Sequence, residues 1–191
     1  MSKGRLEAFS DGVIAILITI MVLELKVPHG ADLAALHDMV PVLAAYVLSF
    51  VFLGIYWNNH HHMLHITTRI NGKILWANLH LLFWLSLVPV GTAWHGEHPT
   101  ATAPAALYGV IFLFAGVGWL ILQSTIIADQ GAGSPLAAAV GSDVKGKLSA
   151  LLYATGIAAA FVRPWISDVL YVVVALMWLV PDRRIESKLN E

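Results

Sequence analysis

The chain of 191 residues contains no cysteine. Disulfides and thiolate metal sites are therefore excluded, and the redox compartment leaves no trace. Charge is scarce as well. Asp, Glu, Lys and Arg make up 12% of the residues, where soluble domains carry about 25%. The formal net charge is −1, so no basic excess points to a nucleic-acid partner. No defensible Ser-His-Asp order, pair of catalytic acids or nucleotide fingerprint is present, and no Gly-Lys-Ser/Thr follows the glycines between 129 and 145. The sequence supports no enzymatic reading, and no cofactor is expected.

What fills the space is apolar. Hydrophobic residues make up 58% of the chain, and mean hydropathy is +0.74, an integral-membrane composition. No segment alternates with period two over barrel length, so the spans are expected to be helices. Six apolar segments are legible, at about 6–26, 39–62, 73–94, 102–128, 146–162 and 165–181. The expectation is an all-α integral membrane protein with six transmembrane helices and a single domain over 1–191. The stretch 129–145, with its Gly, Ser and Pro, reads as a flexible connector. Lys3 and Arg5 before an apolar run resemble a leader, but Glu7 and Asp11 interrupt it and no small-residue cleavage site follows Leu25.

Basic residues orient the spans. Lys3, Arg5, Arg69, Lys73, Lys145, Lys147, Arg183, Arg184 and Lys188 fall on one side and only Lys26 and Arg163 on the other, which predicts both termini in the cytoplasm. The opposite loops carry Asp32, Asp38, Glu97 and Asp168 with His29, His37, His95 and His98, read as ordinary loop polarity. Trp76, Trp94, Trp165 and Trp178 fit interfacial belts. Gly109, Gly116 and Gly118 read as helix-packing positions.

The first segment is the unusual one. Its uninterrupted apolar run, Gly12 to Leu23, is twelve residues, short of the roughly 20 that lipid demands. Including the flanks from Phe9 to Val27 gives about 28 Å of helix, enough to span but with polar residues at membrane depth. Such a helix belongs inside a bundle. At 100° per residue Ile16, Thr19, Ile20 and Leu23 share a stripe about 100° wide, and Ser10 and Asp11 point more than about 100° from its centre. Thr19 is the one side-chain oxygen on that stripe, although a hydroxyl there can also bond its own helix. Asp11 is an expensive residue in lipid and needs a partner. The favoured reading is a buried lock with Ser10 and Asp11 against His60, Asn59, Asn78 or the indole of Trp57 or Trp84. The alternative is a pore-lining ion site. His60, His61, His62 and His65 end the second segment. His61 and His65 have a metal-capable spacing, but no carboxylate and no H-E-x-x-H accompany them, so structural roles are favoured and no metal site is assigned.

Arg5, Phe9, Ser10 and Asp11 spell R-x-x-x-F-S-D at the start of the first span. Trp57, Asn59 and His60 follow, then Asn78, then Pro89. In these residues the chain resembles the lysosomal potassium channel family (the TMEM175-like proteins), in its bacterial single-repeat branch. It departs from that pattern at His62 and Val90. The resemblance implies a potassium-permeable cation channel in the cell membrane, multi-pass, assembled as a homotetramer. It implies that the first helix of each subunit lines a central pore, with Ile16 as the main constriction and Thr19 as the selectivity-related hydroxyl. Potassium and other monovalent cations would then be the permeant partners. Rings of Ile16, Thr19, Ile20 and Leu23 would form a hydrophobic constriction, since no T-V-G-Y-G carbonyl filter exists. Two other readings stand beside the channel: a proton-coupled secondary transporter using Asp11 and His60, and a metal-binding membrane protein using the histidine cluster.

Overall fold

The computed structural model describes residues 2–28 and 30–179. His29, Arg183, Arg184 and Lys188 of the charge argument lie outside these. Helix α1 runs Lys3–Leu23 and stops as the chain approaches Pro28. A 3₁₀ turn at Leu33–Met39 leads into α2, Val40–His65, which carries Pro41 in its first turn, where a missing N–H costs nothing. Helix α3 is Gly72–Ser86 and α4 is Val88–Glu97. The third apolar segment is thus two helices, split at Leu87. Pro89 explains the split, because it cannot donate to the Leu85 carbonyl and its ring crowds it. Helix α5 spans Thr102–Gln130, α6 Pro135–Val140, α7 Val144–Ala160 and α8 Pro164–Leu179.

One expectation changes here. The connector 129–145 is more ordered than its composition suggested. It holds α6, with Ser134 as N-cap accepting from the Ala137 amide and Pro135 in the first turn, and Asp143 then caps α7. The six expected spans are met in part. Four helical stretches are long and apolar enough to cross a membrane: Lys3–Leu23, Leu33–His65, Gly72–Glu97 and Thr102–Gln130. Helices α7 and α8, with 17 and 16 residues, reach only about 24–26 Å. The chain is a multi-pass, all-helical membrane protein.

Helix α5 is the spine. It packs against α3 and α4 on one side and α7 and α8 on the other, while α1 lies across α2, α3 and α4. Between α2, α5, α7 and α8 sits an aromatic core. Phe52 and Phe112 have ring centroids 4.3 Å apart, Tyr108 and Phe112 are 4.9 Å apart, and Tyr153 and Tyr171 are 6.0 Å apart. Glycine makes room for Tyr171. A Cβ at Gly109 would fall against its hydroxyl, and one at Gly156 would lie 2.5 Å from its Cε1. Gly118 likewise lets α5 approach the α3 backbone at Leu81, whereas a Cβ at Gly116 would make only an ordinary contact, with the Tyr56 hydroxyl at 4.0 Å.

Polar clamps define two ends. At one, the Lys3 ammonium donates to the His65 carbonyl at 2.6 Å, and Arg69 reaches the Asp129 carboxylate at 2.8 Å. Asn71 donates to the same carboxylate. At the other, Lys26 meets Glu97 at 2.6 Å, and His95 Nε2 lies 2.9 Å from Asp168. The exposed Lys26–Glu97 and Arg69–Asp129 pairs contribute little to stability, while the Lys3–His65 contact sets the start of α1 beside the end of α2.

Gly109→Ala and Gly156→Ala are each expected to cost about 1–3 kcal/mol, because Tyr171 is buried and cannot swing away. Gly72→Ala, where a Cβ meets nothing, should be near neutral. Denaturation in detergent, followed by circular dichroism, measures all three.

Candidate functional site

Helix α1 has one covered face and one bare face. Leu6, Ser10, Ile14, Leu17 and Met21 are buried against α2, α3 and α4 at spacings of four and three. Opposite them Ile16 is 59% exposed and Leu23 77%, with Thr19 and Ile20 also exposed. The four stripe residues therefore share an uncovered face, and Ile14 sits on the packed side. The Thr19 hydroxyl donates to the Ala15 carbonyl at 2.9 Å, which leaves its lone pairs directed off the helix.

The covered face is held by a polar chain. Asn78, with no exposed surface, donates from Nδ2 to Ser10 Oγ at 3.0 Å. Its Oδ1 lies 2.7 Å from His60 Nε2, which makes that nitrogen the donor. Ser10 in turn donates to the Leu6 carbonyl. One amide so ties α1, α2 and α3 at membrane depth. This is the expected lock, with a different centre. Asp11 is half-buried one position round the helix, and among the described residues it makes no hydrogen bond. The reason is angular: 100° separates neighbours on a helix, and the tertiary contact chose the Ser10 side.

The other motif residues do not join the lock. Arg5, Phe9 and Trp57 are exposed, and Asn59 donates to the Ile55 carbonyl of its own helix. Trp57, His61 and His65 stack along an exposed face of α2 at 6.4 and 6.2 Å between centroids. Among the described residues no group of three or more histidines and carboxylates is placed to hold a metal ion.

A second polar chain was not foreseen. Ser49 Oγ lies 2.7 Å from Thr92 Oγ1 and 2.9 Å from the Tyr108 hydroxyl, and Thr92 also contacts Met21 Sδ of α1 at 3.7 Å. Lone hydroxyls in apolar helices default to bonding their own backbone, so nothing in the sequence separates these from the rest. His95 and Asp168, read as loop polarity, approach each other across α4 and α8, and His95 is only 7% exposed.

Asn78→Ala leaves the His60 Nε2–H without its acceptor and Ser10 with only its bond to the Leu6 carbonyl, and should cost about 1–3 kcal/mol. Asp11→Ala should cost less. Thermal melts of the two variants compare them directly, and a larger loss from Asp11→Ala would overturn this account of the lock.

A family described as "Endosomal/lysosomal potassium channel TMEM175" matches residues 5–89, which cover α1, the lock and the Pro89 break. A potassium channel of Chryseobacterium sp. (strain P1-3) is 51% identical over the full length of both chains. A potassium channel of Streptomyces collinus is 33% identical, over 84% of this chain and 83% of that one. The crystal structure of a lysosomal potassium-selective channel TMEM175 homolog from Chamaesiphon minutus superposes with a TM-score of 0.82 at 28% identity, covering 94% of this chain and 97% of the other. On identity, coverage and fold together, the chain belongs to the TMEM175 family.

Proposed function

We propose that the protein is a potassium-permeable cation channel of the cell membrane, whose pore lies on the axis of a homotetramer and is lined by α1 of each subunit. The observation that carries this reading is the bare face of α1. A helix crossing lipid alone has no need to set Ile16, Thr19, Ile20 and Leu23 on one uncovered stripe while an amide lock clamps the other face. Four copies of that stripe around an axis make a conduit. One copy does not.

In that assembly Ile16, Ile20 and Leu23 stack as rings over about 10 Å. Aliphatic rings resist wetting, and an ion loses hydration there without replacement, so Ile16 acts as the main constriction. Thr19 has given its proton to its own helix. Its oxygen is left to face a passing potassium or other monovalent cation. The exposed Arg5, Phe9 and Trp57 and the half-buried Asp11 and Asn59 sit near the lock, where a neighbouring subunit would cover them. All 191 residues form one channel domain in this reading. Helices α7 and α8 complete six spans, and the end that gathers Lys3, Arg69, Lys73, Lys145 and Lys147 faces the cytoplasm with both termini. The names of the relatives favour a channel over a proton-coupled transporter. His60 is engaged by Asn78, and Asp11 makes no hydrogen bond to it.

Planar-bilayer recording of purified protein in mixed potassium and sodium salts tests the reading. Ile16→Asn should raise conductance and shift the reversal potential toward non-selectivity. Ile14→Asn, on the packed face, should not do this, and it should lower stability. Thr19→Val should reduce selectivity with little change in pore width. A larger current effect from Ile14→Asn would show that the wrong face has been assigned to the pore. Native mass measurement in lipid should give four chains, and a conducting monomer would sink the shared pore.

A further inference from the structure

Among the described residues the Trp84 indole N–H and both Gln130 side-chain atoms are buried without a partner, and two tyrosine hydroxyls that border a crevice also lack one. Tyr108 shares its hydroxyl with Ser49, and Tyr171 donates to the Ala105 carbonyl. Tyr56 and Tyr153 pack beside the same aromatic core, yet among the described residues neither hydroxyl has a hydrogen-bond partner, and Tyr153 is only 4% exposed. Both line a crevice of about 60 Å³ between α2, α5, α7 and α8.

The other polar groups at the crevice are engaged at least in part, Asn59 through one of its two N–H bonds. Asn59 donates to the Ile55 carbonyl, Trp119 to Gln123, Trp178 to Ser149, and Ser149 to the Lys145 carbonyl. No charged side chain lines the space. Its walls are apolar and aromatic, with Phe52, Leu113, Trp119 and Trp178 prominent. Gly116 keeps it open, since a Cβ there would meet only the Tyr56 hydroxyl, at 4.0 Å. What the crevice offers, then, is two phenolic O–H donors inside aromatic walls, with the amide of Asn59 on the same lining. A phenol at membrane depth without an acceptor is costly, so the site is complementary to a molecule that brings one. A charged ligand would find no counter-charge.

We propose that this crevice binds a small, uncharged, lipid-soluble molecule carrying a hydrogen-bond acceptor oxygen. The Tyr56 and Tyr153 hydroxyls donate to that oxygen, and the indoles of Trp119 and Trp178 flank its apolar body. Such a molecule arrives through the bilayer. The site joins α2, which carries His60 of the lock, to α7 and α8. It is independent of which ion the protein conducts.

The probe is 2,2,2-tribromoethanol, whose bromines quench indole fluorescence. It is titrated against the whole protein in lipid nanodiscs. Quenching should saturate, and Trp119→Phe should remove a large part of the saturable signal. 1,1,1-Tribromoethane, which keeps the three bromines and has no oxygen, should bind at least about fivefold more weakly to the unaltered protein, the ratio expected for one lost hydrogen bond. The double variant Tyr56→Phe with Tyr153→Phe should weaken tribromoethanol by a similar factor at a thermal midpoint that does not fall, and Gly116→Leu should abolish saturation. Three results would each overturn the proposal: quenching that rises linearly with probe in the bilayer, equal affinity for 1,1,1-tribromoethane, or full affinity in the double phenylalanine variant. The tribromoethane comparison needs no substitution, so the test survives if a variant fails to fold.

Discussion

A single side-chain amide, Asn78, lies between Ser10 of α1 and His60 of α2, buried from every side. In a lipid environment no solvent can relieve an unpaired donor or acceptor, so these three residues are obliged to find one another. The consequence reaches beyond the three. With Ser10 held inward, the 3.6-residue period directs Ile14, Leu17 and Met21 inward too, and Ile16, Thr19, Ile20 and Leu23 outward. The rotation of α1 about its own axis is set by one hydrogen-bonded contact near its N-terminal end. The Thr92 contact with Met21 near the other end keeps it from drifting.

The rest of the bundle serves as a rigid backing for that helix. Helix α5 touches both halves, and the tyrosine and phenylalanine rings beside it fill the interior at glycine-permitted distances. Polar chains recur at each level: Asn71 and Arg69 on Asp129 at one end, Ser49 with Thr92 and Tyr108 in the middle, His95 with Asp168 at the other. Without a hydrophobic drive between helices in lipid, close packing at small residues and such polar contacts carry the association. Tyr56 and Tyr153 differ from Tyr108 and Tyr171 in this setting, because their hydroxyls border a crevice and have no partner among the described residues.

Much of this organisation was legible in the residues. The positions of the apolar segments, the membrane character and the two-faced first helix all follow from composition and a 100° wheel. The identity of the lock was legible only in part. Ser10, His60 and Asn78 were named among its candidates, but so was Asp11, and a carboxylate looks the more demanding partner when only cost is considered. Neighbouring positions on a helix differ by 100°, and only a packed partner decides which of them faces inward. The break at Leu87 was hinted at by Pro89, while α6 was concealed by glycine and serine that double as capping residues.

The sequence by itself determined what each segment had to be. An apolar, nearly uncharged, cysteine-free chain can only form membrane helices, since backbone groups in lipid must be satisfied within the segment. It also determined that α1 carries an aliphatic stripe with one hydroxyl, because helical periodicity is a local property. Only the tertiary structure decided which side of α1 is covered, that Asn78 is the centre of the lock, and that Ser49 meets Thr92 and Tyr108. Those outcomes depend on contacts between residues 43, 59 and 68 positions apart. Local pattern carries no information about such contacts until the helices pack.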